Sequence, residues 1–279
     1  MSDRGDPPMS DLGAGAPEHS RGRAQVVAFR AMCGRDAWVI ARHDLAGFLA
    51  QSLLQPLFYL FIFGRVLPEI GAASGSYGTQ LLPGVLGLTL FLTALQNTAL
   101  PLVIDFSFTK EIEDRLLAPL SAWALGVQKM AMASMRAIVA ALAIIPLAAL
   151  ILPGGVDFTD VDWAGFVTLM LAGSLAGAAV GLLLGTAVAP QKISVAFAVT
   201  LTPLLFTGAT FYPWQALDSL RWFQVITLVN PLTYLSEGLR GALTAVPSLG
   251  GGWVALGLTV AIAVFGALGL RGFTRRAVD

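Results

Sequence analysis

Long stretches of this chain carry no charged side chain, and the charged positions fall between them. Charge-free runs cover Leu45–Gly64, Ile70–Ile104, Ala137–Val156, Trp163–Gln191, Ile193–Leu217 and Gly241–Leu270. Each has 20 residues or more, and about 20 residues of α-helix cross the apolar core of a bilayer. Charge at that depth is costly, so such runs locate lipid. Two shorter runs, Leu116–Gln128 and Trp222–Ser236, suit interfacial or re-entrant helices. Small-residue or proline breaks at Gly71–Gly78, Leu152–Gly155, Ala189-Pro190 and Gly250–Gly252 separate the runs. The pattern predicts an all-α polytopic membrane protein. Its six transmembrane helices are expected over 45–67, 80–104, 130–152, 163–188, 193–213 and 252–272.

Composition supports the same class. Hydrophobic residues make up 56% of the 279 and charged residues 12%, about half the roughly 25% of a soluble domain. Such a chain cannot cover itself with polar surface, and it is too apolar for disorder. Zero net charge argues against a nucleic-acid partner.

The basic residues set the orientation. Fourteen of the 17 fall before the first span, in or beside the second and fourth loops, or in the tail. Arg65, Arg221 and Arg240 lie on the other side. Positive charge accumulates in the cytoplasm, so both termini are expected there. Residues 1–23 are polar, contain Gly and Pro and lack an apolar core. They read as a disordered cytoplasmic arm and not as a secretory leader. Residues 24–279 form one transmembrane domain.

Four segments need a separate account. In 24–44, Val26, Phe29, Cys33, Ala37 and Ile40 form one helical stripe, with Arg30, Arg35 and Arg42 on other faces. With Trp38 these place an amphipathic helix along the cytoplasmic interface; the alternative is a solvated helix. The loop 105–129 combines Lys110, Glu111, Glu113, Asp114 and Arg115 with Leu116, Leu117 and Pro119. It reads as a docking element or as a solvated turn. The segment 214–246 breaks at Asn230-Pro231, carries Tyr234, and places Glu237 and Arg240 three residues apart on one helical face. Two short helices around that break are expected to re-enter the outer leaflet. Gly173, Gly177, Gly181 and Gly185 leave one face of the fourth span bare, so another helix can approach closely.

Several chemistries are excluded. His19 and His43 both precede the first span, so no Ser-His hydrolase or HExxH site lies in the membrane. One cysteine, Cys33, forms no internal disulfide and no thiolate metal site. None of the three lysines follows a glycine, so GxxxxGK[ST] is missing. No catalytic, cofactor or metal-binding residue is expected, and any ATP must be bound by another chain. No carboxylate falls at mid-membrane, where ion-coupled transporters usually need one.

The layout resembles the membrane subunit of ABC type-2 exporters, the family that includes antibiotic-resistance, lipid and polysaccharide export permeases. The likeness rests on four features. An amphipathic helix precedes six spans. The stretch Lys110-Glu-Ile-Glu-Asp-Arg-Leu-Leu-Ala-Pro-Leu-Ser121 ahead of Lys129 is similar to the family's coupling segment. Phe206–Pro213 resembles the end of the family's fifth span. Asn230-Pro-Leu-Thr-Tyr234, Glu237 and Arg240 resemble the signature before the last span. In one departure, Glu111-Ile112 stands where the family often has Gly-Thr.

The resemblance implies two permease subunits, identical or related, in a bacterial plasma membrane. Separate P-loop ATPase subunits would bind ATP and Mg. Lys110, Glu111, Glu113, Asp114, Arg115, Leu116, Leu117 and Pro119 would dock the ATPase, and Asn230, Pro231, Tyr234, Glu237 and Arg240 would shape the outer gate. Apolar spans with few fixed charges favour an amphipathic drug or lipid as cargo. The competing readings are a gradient-driven secondary transporter and a membrane assembly protein that transports nothing.

Overall fold

The computed structural model describes residues 34–35, 42, 45–74, 77–106, 122–153, 155, 161–244 and 246–278. These are overwhelmingly helical, with no strand among the described residues. Helix α1 (Leu45–Phe61) runs on through a π-helical turn at Ile62–Val66 and a last turn at Leu67–Glu69. Helices α2 (Tyr77–Ile104), α3 (Ala122–Ile151) and α4 (Trp163–Ala187) follow. Helix α5 (Ile193–Thr207) is shorter. A 3-10 turn (Trp214–Leu220), α6 (Arg221–Thr227) and α7 (Pro231–Leu243) lead to α8 (Gly251–Val278).

Among the described residues, five helical segments are long and apolar enough to cross a membrane. They are Leu45–Glu69, Tyr77–Ile104, Trp123–Ile151, Trp163–Ala187 and Gly251–Arg276. The helix expected over 193–213 stops at Thr207 after 15 residues. That is about 22 Å of helix, short of a bilayer core of about 30 Å. Its regular winding ends where Gly208 and then Ala209, at φ 49°, turn the backbone away. The third helix begins at Ala122, eight residues before the expected start at 130. Its first turns bury Leu125 and pack Gly126 against Leu270 and Phe273 of α8, so tertiary contact extends the helix into the expected loop.

Helix α2 is the centre of the bundle. It is apolar around most of its circumference, and a helix of that kind must be enclosed by protein or lipid. Here α1, α3, α4 and α7 surround it. Two of its threonines, Thr89 and Thr98, bond back to the Val85 and Ala94 carbonyls at 2.8 Å. The bare face of α4 lies against it. Gly177 faces Phe91 and Ala94, Gly181 faces the Leu95 backbone, and Gly185 faces Ala99, while Gly173 receives Leu235 of α7. Missing side chains let the two backbones meet directly.

The helix ends form two rims. At one, Lys129 pairs with Asp105 at 2.5 Å, and Arg276 donates to the Gly185 and Val188 carbonyls at the end of α4. A cation there complements the helix dipole and its unpaired carbonyls. At the other rim, Arg65 Nη1 reaches the Ile151 carbonyl ending α3 at 3.3 Å. Trp163, Trp222 and Trp253 are exposed there, as aromatics at a membrane interface are. We call these the basic and aromatic rims.

The expected arm 1–23, Arg30 and Trp38 of the interfacial helix, and Lys110 through Pro119 of the docking loop lie outside the described residues. Arg35 and Arg42 are described and are exposed.

A methyl group at Gly181 would land on the Leu95 carbonyl, whereas one at Gly252 meets nothing within 4 Å. Gly181→Ala is therefore expected to cost about 1–3 kcal/mol, the range for overpacking. Gly252→Ala should leave the melting temperature of the detergent-purified chain unchanged. Equal melting of the two variants would contradict the α2–α4 packing.

Candidate functional site

The short α5 ends inside the bundle, and that creates a chemical problem. The last four carbonyls of a helix have no partner within it. The irregular stretch after Thr207 presses against α2 at Gly84, where a Cβ would overlap the Thr210 carbonyl. Gly84 is seven residues in from the start of α2, about 10 Å along a helix. Free carbonyls at such depth require partners from the protein.

Side chains supply them. Asn230 Nδ2 donates to the Leu204 carbonyl at 2.9 Å. Tyr212 donates to the Phe206 carbonyl at 2.6 Å, and Tyr77 of α2 donates to that of Phe211 at 2.7 Å. Arg240 Nη2 donates to the Ala209 carbonyl at 3.0 Å. The Thr233 hydroxyl lies 2.6 Å from the Thr227 carbonyl and 3.0 Å from that of Thr207. Three of these side chains, Asn230, Thr233 and Arg240, come from α7 or its cap.

The start of α7 explains the Asn-Pro pair. Asn230 caps the helix, its Oδ1 accepting from Leu232 N at 2.9 Å. Pro231 at the first helical position has no N–H to leave unpaired. Asn230 thus closes one helix end and completes another. Tyr234 bonds the Leu228 carbonyl at 2.8 Å, and its ring covers Gly257 of α8.

One turn further along α7, Glu237 and Arg240 form an ion pair with 0% and 1% of their side chains exposed. Glu237 Oε1 also accepts from Trp214 N at 2.9 Å, and Oε2 from Leu249 N at 3.0 Å. One carboxylate therefore holds the beginning of the 3-10 turn and the approach to α8. Burial lowers the Arg240 pKa, and the Glu237 carboxylate raises it in part. The guanidinium keeps its proton all the same. Trp214 and Gln224 close the outer turn through reciprocal bonds of 3.2 and 3.3 Å.

The sequence signature thus gathers at one place. Asn230, Pro231, Tyr234, Glu237 and Arg240 all lie on α7 or its cap. Asn230 and Arg240 hold carbonyls at and just past the end of α5, Tyr234 holds the Leu228 carbonyl, and Glu237 holds the amides of Trp214 and Leu249. Tyr77, Tyr212 and Thr233 also hold carbonyls of the broken segment, and Trp214 and Gln224 close the turn beside it, roles that the sequence did not show. Only the density of polar and aromatic residues around Asn230-Pro231 hinted at them. Among the described residues, no three His, Cys, Asp or Glu side chains cluster to hold a metal.

The model of the ABC-2 type transporter family matches residues 27–244. The ycf38 protein of Cyanophora paradoxa, named as a transport permease, is similar to this chain. The two are 29% identical over 206 residues, which cover 69% of this chain and 66% of that protein, slightly under two thirds of its length.

Removing one member of a buried ion pair strands the other charge, at a cost of about 3–5 kcal/mol. Arg240→Met should lose that much in equilibrium unfolding from mixed micelles. Glu237→Gln added to Arg240→Met should recover part of the loss, because it removes the stranded carboxylate and keeps an acceptor for Trp214 N. A double variant as unstable as the sum of the two singles would show that the pair is not coupled.

Proposed function

The chain belongs to the ABC-2 type transporter family, and on that premise we propose that it is the membrane subunit of an ATP-driven exporter. The observation that carries the reading is the family match across most of a helical bundle whose sequence has no P-loop. Energy from ATP then has to come from a second chain. Permeases of this family normally work with ABC ATPase partners.

In this reading the chain crosses the membrane six times. Helix α5, with the irregular stretch after it, makes the fifth crossing, and both termini face the cytoplasm at the basic rim. The 3-10 turn, α6 and α7 sit in the outer leaflet at the aromatic rim. The segment between α2 and α3, with Lys110, Glu111, Glu113, Asp114, Arg115, Leu116, Leu117 and Pro119, receives the ATPase. ATP and Mg bind to that partner. Closure of two ATPase subunits displaces the helices as rigid bodies. A second copy of the chain, or a related permease, completes the path in a bacterial plasma membrane. The node of Asn230, Glu237 and Arg240 serves as an outer gate because it ties α5, α7 and the approach to α8 together. The cargo is an amphipathic drug or lipid-like molecule that moves outward.

The test is a pull-down of the chain from native membranes in mild detergent, followed by mass spectrometry. A P-loop ATPase is expected in stoichiometric amount, and Glu113→Ala with Arg115→Ala is expected to release it. A folded chain that recovers no ATPase would overturn the proposal and favour a gradient-driven transporter or an assembly role.

A further inference from the structure

Between α1 and α2 lies a cleft of about 220 Å³ whose walls mix polar side chains with apolar ones, although both helices are apolar overall. On α1 the polar positions are Ser52 and, spaced four apart and so on one face, Gln51, Gln55 and Tyr59. On α2 they include Thr93 and Gln96. Gln55 is ten residues into the rod Leu45–Glu69. That is about 15 Å, or half the apolar thickness of a bilayer.

These groups are not used up by the fold. Among the described residues, Gln51 and Gln96 have no hydrogen-bond partner, and Gln55 spends one donor on Tyr59 at 2.8 Å. Asn97 is different: its amide donates to the Thr93 carbonyl and accepts from Arg136. Gln51 and Gln55 are exposed and Gln96 is half-buried. An amide facing hydrocarbon is unfavourable without a partner. Two unpaired amides on opposing walls, and a third with bonding capacity to spare, therefore face something that can hydrogen-bond at this depth.

The charges narrow what that can be. No Asp, Glu, Lys or Arg lines the cleft among the described residues. Arg136 is engaged on Asn97 and does not itself line the cleft, so a phosphate or ammonium group would meet no charged lining side chain, and at that depth the cost is high. A hydroxyl both donates and accepts, as the glutamine amide does, so the two pair without charge. At its upper end the cleft meets an aromatic group. Tyr59 and Phe63 each lie 5.2 Å from Phe211, which sits on the broken end of α5. Pro56 interrupts the helical bonding of α1 beside the glutamines, and the π-helical turn at 62–66 follows. Such irregularities often mark functional positions.

We propose that this cleft binds an uncharged, hydroxyl-rich head group, such as a glycosyl or polyol moiety carried on an apolar tail. Gln51, Gln55 and Gln96 would bond the hydroxyls, and Tyr59 would stack above them. The inference deepens the transport reading and rests on it, since it names the class of cargo. It does not depend on how the ATPase attaches.

The test uses the full-length chain, labelled in native membrane vesicles and then purified, with Cys33→Ser so that this chain carries no other thiol. Single cysteines are placed by Gln55→Cys, by Gln96→Cys on the opposite wall, and by Phe58→Cys on the exposed apolar face of α1. N-ethylmaleimide needs a thiolate, which forms only where water reaches, so both cleft cysteines should react about tenfold faster than the one at position 58. Dodecyl maltoside below its micellar concentration should slow both cleft reactions about fivefold, and dodecylphosphocholine, with the same tail and a charged head, should change them less than about twofold. Cleft thiols no faster than the one at 58 would show a dry surface covered by lipid or a second copy, and would overturn the proposal. Equal protection by both detergents would overturn it too, since the tail alone would then be recognised. Either failure would leave ATPase recovery in the pull-down unaffected, so the two readings fall separately.

Discussion

A peptide carbonyl in apolar surroundings must be paired, and the break after Thr207 leaves several unpaired well below the aromatic rim. Much of what is unusual in the outer half of the molecule answers that requirement. Asn230, Arg240, Tyr77 and Tyr212 each take one carbonyl of the broken segment. Because two of these come from α7 and one from α2, three elements distant in sequence are bound together. Gly84 is bare because the turn at Thr210 passes against its Cα.

The buried ion pair follows from the same requirement. A lone guanidinium used to satisfy the Ala209 carbonyl would be a buried charge, and Glu237 neutralises it from the same helix face. The carboxylate has oxygen capacity to spare and uses it on the amides of Trp214 and Leu249. Replacing such a pair with apolar side chains is often harmless to stability. Here, however, three backbone groups depend on it, so an apolar pair would leave them orphaned. A node of this kind resists small adjustments and releases several contacts at once. That behaviour suits an element that switches between two arrangements.

The sequence made some of this visible. The runs forming α1, α2, α4 and α8 stand out because each is long and free of charge, and such runs need a membrane or a core around them. The starts of α3 and the end of α5 did not. Ala122–Lys129 is helical because Leu125 and Gly126 find α8, a contact no local pattern contains. The end of α5 depends on the turn at Gly208 and Ala209 and on partners far along the chain. Glu237 and Arg240 could be matched from their spacing, whereas the carbonyls they serve leave no mark on side-chain patterns. The glutamines of the α1–α2 cleft were hidden for another reason: a scan for charges passes over neutral amides, although hydrocarbon excludes them as well.

The dependence of the outer segment on Glu237 can be measured by hydrogen exchange. In the full-length chain in lipid nanodiscs, peptides containing Trp214 and Leu249 should exchange slowly. In Glu237→Ala both should exchange at least about tenfold faster, since their amides lose a common acceptor. Peptides from the α2–α4 contact around Leu95 and Gly181 should stay as protected as before. Unchanged exchange at Trp214 and Leu249 would mean that the carboxylate does not hold the segment. Faster exchange everywhere would mean that the bundle, and not this node, had been lost.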